Sequence, residues 1–271
     1  MNENSYKPRA RGSAGGWQKV EQNPLIGGPL GTCFDLDVLK EDGVYRMWFS
    51  WRPVRLIAYT ESVDAIHWDA PKVVLTADPE SDWECDEVNR PTIVKKDGIY
   101  HMWYCGQVFP NEFKQSYTCI GYATSSDGIH WNRRKEPVMR PELPWEKYTL
   151  LCPDVLWDEE MQLFRMWYSG GEQYEADAIG YATSPDGIHW TRHPENPIFV
   201  PQPENFWEMA KVEACYVFKH DGWHYMMYLG MDGDLIASAG LARSRDGISN
   251  WERHPDNPLL AGSDGACPVS K

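Results

Sequence analysis

Ile120 to Trp131 reads IGYATSSDGIHW, and Ile179 to Trp190 reads IGYATSPDGIHW. Looser copies stand at Ile57 to Trp68, IAYTESVDAIHW, and at Leu241 to Trp251, LARSRDGISNW. Recurrence at a period of roughly 60 residues marks one supersecondary unit copied along the chain and stacked on its neighbours. Working outward from each copy, an apolar strand leads through a charged turn to an aromatic strand, and then to the copy itself. In the second unit this runs RPTIV, KKDG, IYHMWYCG, IGYATS, SDG, IHW. The alternation in YHMWY and FRMWY sends Met and Trp to opposite faces, as in strands covered on both sides. Four short strands per unit with almost no helical periodicity predict an all-β chain, a β-propeller of four-stranded antiparallel blades. The pairs Asp127-Gly128, Asp186-Gly187 and Asp246-Gly247 predict hairpin turns with positive φ, which makes the adjoining His130 and His189 structural.

The hairpins EDGVYRMWFS, KKDGIYHMWYCG, DEEMQLFRMWYSGG and KHDGWHYMMYLG place blades at 30–75, 85–138, 148–199 and 208–260. A fifth blade is implied by the two ends. GWQKVEQNPLI, Gly16 to Ile26, matches HWTRHPENPIF and NWERHPDNPLL, so 16–26 is read as the outer strand of a closing blade. SDGACPVSK is similar to the first inner strand of a blade, so 261–271 is read as the start of the fifth. The expectation is one five-bladed domain over 1–271, with the fifth blade incomplete at the carboxyl end and 1–15 disordered.

A net charge of -14 repels phosphate backbones and anionic lipid heads, so neither nucleic acid nor membrane is an expected partner. No apolar run reaches the ~20 residues of a membrane span, and MNENSYKPRARGSAGG lacks an apolar export region, so a cytoplasmic location is expected. The 7 cysteines include no CxxC pair, which signals neither a disulfide framework nor a zinc ribbon. Cys33, Cys152, Cys215 and Cys267 each stand near the start of a comparable strand, where a small apolar side chain packs closely.

The inner strands line a propeller's axis and aim their starts at one face. These starts read GTCFDLDVL, DEVNRPTIV, LCPDVLWDE and KVEACYVFK, bringing Asp35, Asp37, Glu87, Asp154 and Glu213 beside apolar strands. Burying carboxylates without partners is costly, so their recurrence needs a reason. One is structural: they accept backbone N–H bonds or pair with Arg90 and stiffen the hub. The other is glycoside hydrolysis, which needs one protonated and one ionised carboxyl in the same pocket.

KVEACYVFKHDGWHYMMYLG resembles the acid-bearing strand of glycoside hydrolase family 43, within the five-bladed clan that also holds families 32, 62, 117 and 130. The resemblance implies Glu213 as general acid, Asp35 as general base and Asp154 as the carboxylate that orients the acid and tunes its pKa. The family usually has Asp-Pro at its first two sites, whereas this chain has Asp35-Leu36 and Cys152-Pro153-Asp154, which keeps Asp37 and Glu87 in play. Asn89-Arg90-Pro91 is similar to the second-blade arginine of family 130, where phosphorylases occur. Arg90 could clasp a phosphate or a carboxylate, or neutralise Glu87. Trp51, Trp83 and Tyr174 could stack on sugar faces, against a default role in packing.

SSDGIHW from Ser125 is not a sialidase Asp-box, because Gly128 follows Asp127 directly. No cofactor is implied. The axial oxygens would suit at most a structural Ca²⁺, for which no ligand spacing is present. The expected partner is an oligo- or polysaccharide, and three functions stay open: an inverting glycosidase, a phosphorylase, and a non-catalytic sugar-binding propeller.

Overall fold

A computed structural model describes residues 20–110, 115–172 and 175–261. Among the described residues four antiparallel sheets follow one another, each built in chain order from the axis outward, and they are four blades of a five-bladed β-propeller fold. The first is β1 (Cys33–Glu41), β2 (Val44–Trp51), β3 (Leu56–Ser62) and β4 (Lys72–Leu75). The second is β5 (Glu87–Lys96), β6 (Ile99–Val108), β7 (Tyr117–Ser125) and β8 (Asn132–Arg133). The third is β9 (Thr149–Asp158), β10 (Leu163–Gly171), β11 (Ala178–Ser184) and β12 (Thr191–Arg192), joined to the second by one parallel pairing of Thr118 with Thr149. The fourth is β13 (Lys211–His220), β14 (Trp223–Met231), β15 (Ala237–Ser244) and β16 (Glu252–Arg253), with β17 (Leu260–Ala261) returning to pair β15. Residues 1–19 and 262–271, on which the expected disordered end, the first part of the expected closing strand and the start of the fifth blade fall, lie outside the described residues. Val20 to Asn23 makes a turn rather than strand, like the one after β12: Asn23 N–H donates to Val20 O at 3.2 Å, as Asn196 does to His193 O at 3.2 Å.

The core lies between blades, which is why the strands are apolar on both faces. Trp48 packs with Tyr59, Tyr100 and Met102 between the first two blades, and Trp103 with Phe164 and Met166 between the next two. Each central Trp is also pinned. Trp48, Trp103 and Trp167 donate their indole N–H to the carbonyls of Gly128, Gly187 and Gly247 of the following blade, at 2.8, 2.8 and 2.7 Å. Those glycines have φ of +77, +78 and +74°, and a Cβ on Gly128 would lie 2.8 Å from Trp48, so the repeated Asp-Gly turn answers both to backbone conformation and to the indole beneath it. Its Asp is equally fixed: Asp127 Oδ1 accepts the Ile129 and His130 amides at 2.9 and 2.8 Å, and Oδ2 meets His130 Nδ1 at 2.7 Å. His189 repeats this with Asp186.

A second repeated device escaped the sequence reading. Trp83-Glu84, Trp145-Glu146 and Trp207-Glu208 precede blades two, three and four. Each Trp lies flat on two glycines of its own blade, Gly106 and Gly121 in the second, where any Cβ would clash. Each Glu is fully buried and accepts a tyrosine hydroxyl at 2.8 Å, from Tyr104, Tyr168 and Tyr228 respectively. Each also pairs with an arginine: Arg133 at 3.1 Å, Arg192 at 2.8 Å and Arg253 at 2.7 Å. Trp83 is thus a packing residue.

Candidate active site

The inner strands do not run straight into the hub. Pairing with the second strand skips between Phe34 and Asp37, Asn89 and Thr92, Leu151 and Asp154, and Glu213 and Tyr216, so every blade carries a bulge at the same place. The first bulged residue is left-handed in each: Asp35 at φ 43°, Arg90 at 53°, Cys152 at 46° and Ala214 at 48°. A side chain in that region costs on the order of 1–2 kcal/mol, so something must hold it. The preceding blade does. Arg90 N–H donates to Ser50 Oγ at 2.7 Å and Ala214 N–H to Ser169 Oγ at 3.0 Å, while the Cys152 amide falls on the Cys105 thiol.

Two residues on, a second set of bonds crosses between blades. Asp37 Oδ2 accepts Ile93 N–H at 2.5 Å, Thr92 Oγ1 accepts Val155 N–H at 3.3 Å, and Asp154 Oδ2 accepts Val217 N–H at 2.7 Å. The bulge therefore sets the true equivalences. Asp35 corresponds to Arg90, Cys152 and Ala214, whereas Asp37 and Asp154 correspond to each other and latch neighbouring blades. Burial raises both, Asp37 to about 6 and Asp154 well above the usual carboxylate range, against the amide each accepts.

These residues wall a cavity of about 150 Å³ at the hub, with Asp35, Asp37, Arg90, Cys152, Asp154 and Tyr216 on its lining. Arg90 is its centre of charge. Its Nε lies 3.1 Å from Asp35 Oδ2, its Nη1 donates to Asn89 Oδ1 at 3.1 Å, and its plane sits 5.6 Å from the Phe34 ring. Burial opposes the charge, but Cys152, Asp35, Cys105 and Glu213 around it push the guanidinium further up. Asn89 is held in turn, its amide donating to Glu87 Oε1 and Gln107 Oε1, both at 2.7 Å. Glu87 thus buttresses Arg90 through Asn89 rather than neutralising it directly.

Asp35 keeps its side chain 30% exposed, so water reaches it. Burial raises its pKa, and Arg90 and Arg52 pull it back. Glu213 is 8% exposed, and the bond recorded to its carboxyl is from Ala176 N–H to Oε2 at 2.8 Å. Burial pushes Glu213 up to about 7; the Ala176 amide and Arg90 oppose this, while Asp35 and Glu175 add to it. Asp154, by contrast, feels the charge of Asp37.

Of the residues singled out from sequence, Asp35, Asp37, Arg90 and Asp154 are brought together on the cavity wall; Glu213 is not on that lining but adjoins Ala214, which is, and Glu87 and Asn89 stand behind Arg90. Trp51 is placed elsewhere: its indole N–H donates to Leu30 O at 2.7 Å and its ring packs against the cluster of Met47, Phe49 and Ala58. Tyr174 and Cys267 lie outside the described residues. Cys152 and Cys215 face the cavity rather than only filling core, and both are free thiols. Sequence reasoning missed Cys152 and Thr92 as hub residues, although Arg90-Pro91 and Cys152-Pro153 share a residue-proline step at the bulge. Among the described residues, no three His, Cys, Asp or Glu side chains converge to hold a metal ion.

Residues 22–271 match the sequence profile described as glycosyl hydrolases family 43. An uncharacterised protein of Mycobacterium tuberculosis (strain H37Rv) is 30% identical over 155 residues, 56% of this chain and 49% of that protein. A 1,2-beta-oligomannan phosphorylase of Thermoanaerobacter sp. (strain X514) is 30% identical over 193 residues, 70% of this chain and 59% of that enzyme. The chain spans about half the length of the curated relatives it matches. Among solved structures, a thermostable family-43 glycoside hydrolase superposes with a TM-score of 0.68 at 20% identity, over 89% of this chain and 77% of that one.

Proposed function

This chain belongs to family 43 of the glycosyl hydrolases, and we propose that it cleaves a glycosidic bond by inversion, with Glu213 as general acid and Asp35 as general base. The observation that carries the reading is the contrast between these two carboxyls across Arg90. Glu213 is shut off from water, pushed up to about 7, and bonded at Oε2 by the Ala176 amide, so near neutral pH a large fraction holds a proton to give. Asp35 is partly open to water, and although burial raises it on balance, its ion pair with Arg90 works against that and favours the ionised form. In the proposed reaction Asp35 takes a proton from a water as that water attacks the anomeric carbon. Glu213 gives its proton to the departing oxygen, and the bond from carbon to that oxygen breaks with its electron pair leaving on the oxygen. Asp154 acts through the strand: its bond to Val217 fixes β13 four residues beyond Glu213 and so orients the acid. The substrate in this reading is an oligo- or polysaccharide.

The test is turnover of a panel of 4-nitrophenyl glycosides, with proton NMR of the first anomer released. Glu213→Gln is expected to lower kcat/KM about 10²- to 10⁴-fold with the fold intact, and the wild type to release the anomer opposite to that of the substrate. Unchanged turnover in Glu213→Gln overturns the assignment; saturable sugar binding with no turnover by the wild type leaves the binding propeller instead.

Phosphorolysis is a second reading, favoured by Arg90 on the cavity wall and by the likeness to the oligomannan phosphorylase. It requires cleavage that depends on inorganic phosphate and yields a sugar 1-phosphate. Against it, the Arg90 guanidinium is already shared between Asp35 and Asn89.

A further inference from the structure

The Ala176 amide that meets Glu213 is itself clamped from several sides. Lys211 Nζ donates to the Glu175 carbonyl at 2.7 Å and to Asp177 Oδ1 at 2.8 Å. Lys147 Nζ, from the segment before β9, donates to Asp177 Oδ2 at 2.8 Å. The Asp177 amide returns to Gly170 O at 2.9 Å, and the approach is so close that a Cβ on Gly171 would lie 2.6 Å from the Asp177 nitrogen. Both carboxylate oxygens of Asp177 are thus taken by lysines from two blades, and the residue between Glu175 and Asp177 has its N–H aimed at one atom. Lys211 stands two residues before Glu213 on β13, so the strand that bears the carboxyl also grips the segment that bonds it.

We propose that Asp177, gripped by Lys147 and Lys211, is a positioning residue for the acid: it keeps the Ala176 N–H on Oε2 of Glu213 and so leaves Oε1 as the oxygen that carries the transferable proton. A carboxylic acid has one hydroxyl, and its carbonyl oxygen is the better acceptor of an amide N–H, so a bond to Oε2 favours the proton on Oε1. The proposal rests on the reading of Glu213 as general acid. The groups that face Glu213 are Asp35 from β1, Arg90 from β5, Cys152 from β9, Glu175 from the clamped segment and Lys211 from its own strand. Lys147 and Asp177 are partly exposed, at 42% and 33%, and as an ion pair alone these two would add little; Lys211 is more buried, at 18%.

The two roles differ in sign at Glu213. Deleting the Asp177 carboxylate unmasks two lysines, and charge alone would then favour the ionised acid and lower its midpoint. Losing the amide, which stabilises the ionised form, raises it. The experiment is a pH titration by NMR of the full chain labelled with ¹³C at glutamate carboxyls, the Glu213 signal being identified by its loss in Glu213→Gln. In Asp177→Ala the Glu213 midpoint is expected to rise by about one pH unit, the worth of one bond to a charged group. On a 4-nitrophenyl glycoside that the wild type turns over, kcat is expected to fall about tenfold with KM little changed, and Asp177→Glu to recover most of both. A midpoint that stays or falls overturns the proposal. Should Asp177→Ala fail to fold, Asp177→Asn is read by the same titration and judged by the same sign. Because this readout needs no substrate, it is separate from the proposed reaction: turnover retained in Glu213→Gln would remove the acid while leaving the clamp measurable.

Discussion

Glu84 and Glu213 make an instructive pair. Both are buried, and loss of water pushes both up to about 7. They differ in what surrounds the oxygens. Glu84 has Tyr104 on Oε2 and Arg133 on Oε1, whereas Glu213 has the Ala176 amide on Oε2 and adjoins Ala214 of the cavity wall. A raised pKa therefore does not mark an active site by itself; the oxygen left over for a substrate does. The Trp-Glu carboxylates fasten a blade to itself, Asp37 and Asp154 latch neighbouring blades, and Glu213 is the one that the proposed reaction uses.

The comparison breaks if the two classes respond alike to substitution. The largest effect is expected at Glu146, whose carboxylate takes Tyr168, Arg192 and the amides of Glu142 and Leu143. Glu146→Ala leaves Arg192 and those donors without their acceptor and is expected to lower the unfolding free energy by about 3–5 kcal/mol in urea titrations. A loss near zero would show the motif to be ornamental.

Glu213 should do the opposite. Its folded pKa of about 7 stands above the ordinary 4.5, so the native state binds the proton more tightly than the unfolded chain. Stability is then withdrawn as pH rises from the unfolded value through the folded one, and the full cost is present above both. Glu213→Gln carries no such cost, and is expected to exceed the wild type by about 3 kcal/mol at pH 8.5 and to match it near pH 4. Equal stability at both pH values would place Glu213 with the structural set.

The smallest effect sharpens the hub itself. Ser169→Ala strands the Ala214 amide next to the acid, and a cost of about 1 kcal/mol is expected in the same titrations. Ser169→Cys should recover most of it, since Cys105 already serves that function one blade earlier.

Much of the architecture is legible because the pattern is periodic: the DGIHW copies, the Trp-bearing second strands and the Asp-Gly turns all recur at matched spacing. Glu213, Asp35 and Arg90 are legible as polar residues at apolar strand starts. The register of the hub is not. A bulge adds a residue that alternation does not announce, so Asp35 and Asp154 look like counterparts by type when Cys152 and Asp35 are counterparts in space. Trp51 misleads for a related reason: aromatic content marks a surface that something covers, and here Leu30 and the first-blade cluster cover it. The Trp-Glu pairs recur in plain sight, but only their tyrosine and arginine partners, some 20 to 50 residues away, give them meaning.

The left-handed corner at each strand start has a consequence for how such a molecule changes over time. At three of the four the backbone amide is secured by an atom of the neighbouring blade, so the side chain mounted there can be exchanged without rewriting the frame: arginine, cysteine and alanine already occupy those mounts. Randomising codons 152 and 214 together, which leaves the proposed proton-transfer groups in place, should yield a collection of folded proteins that differ mainly in which sugars and which leaving groups they accept.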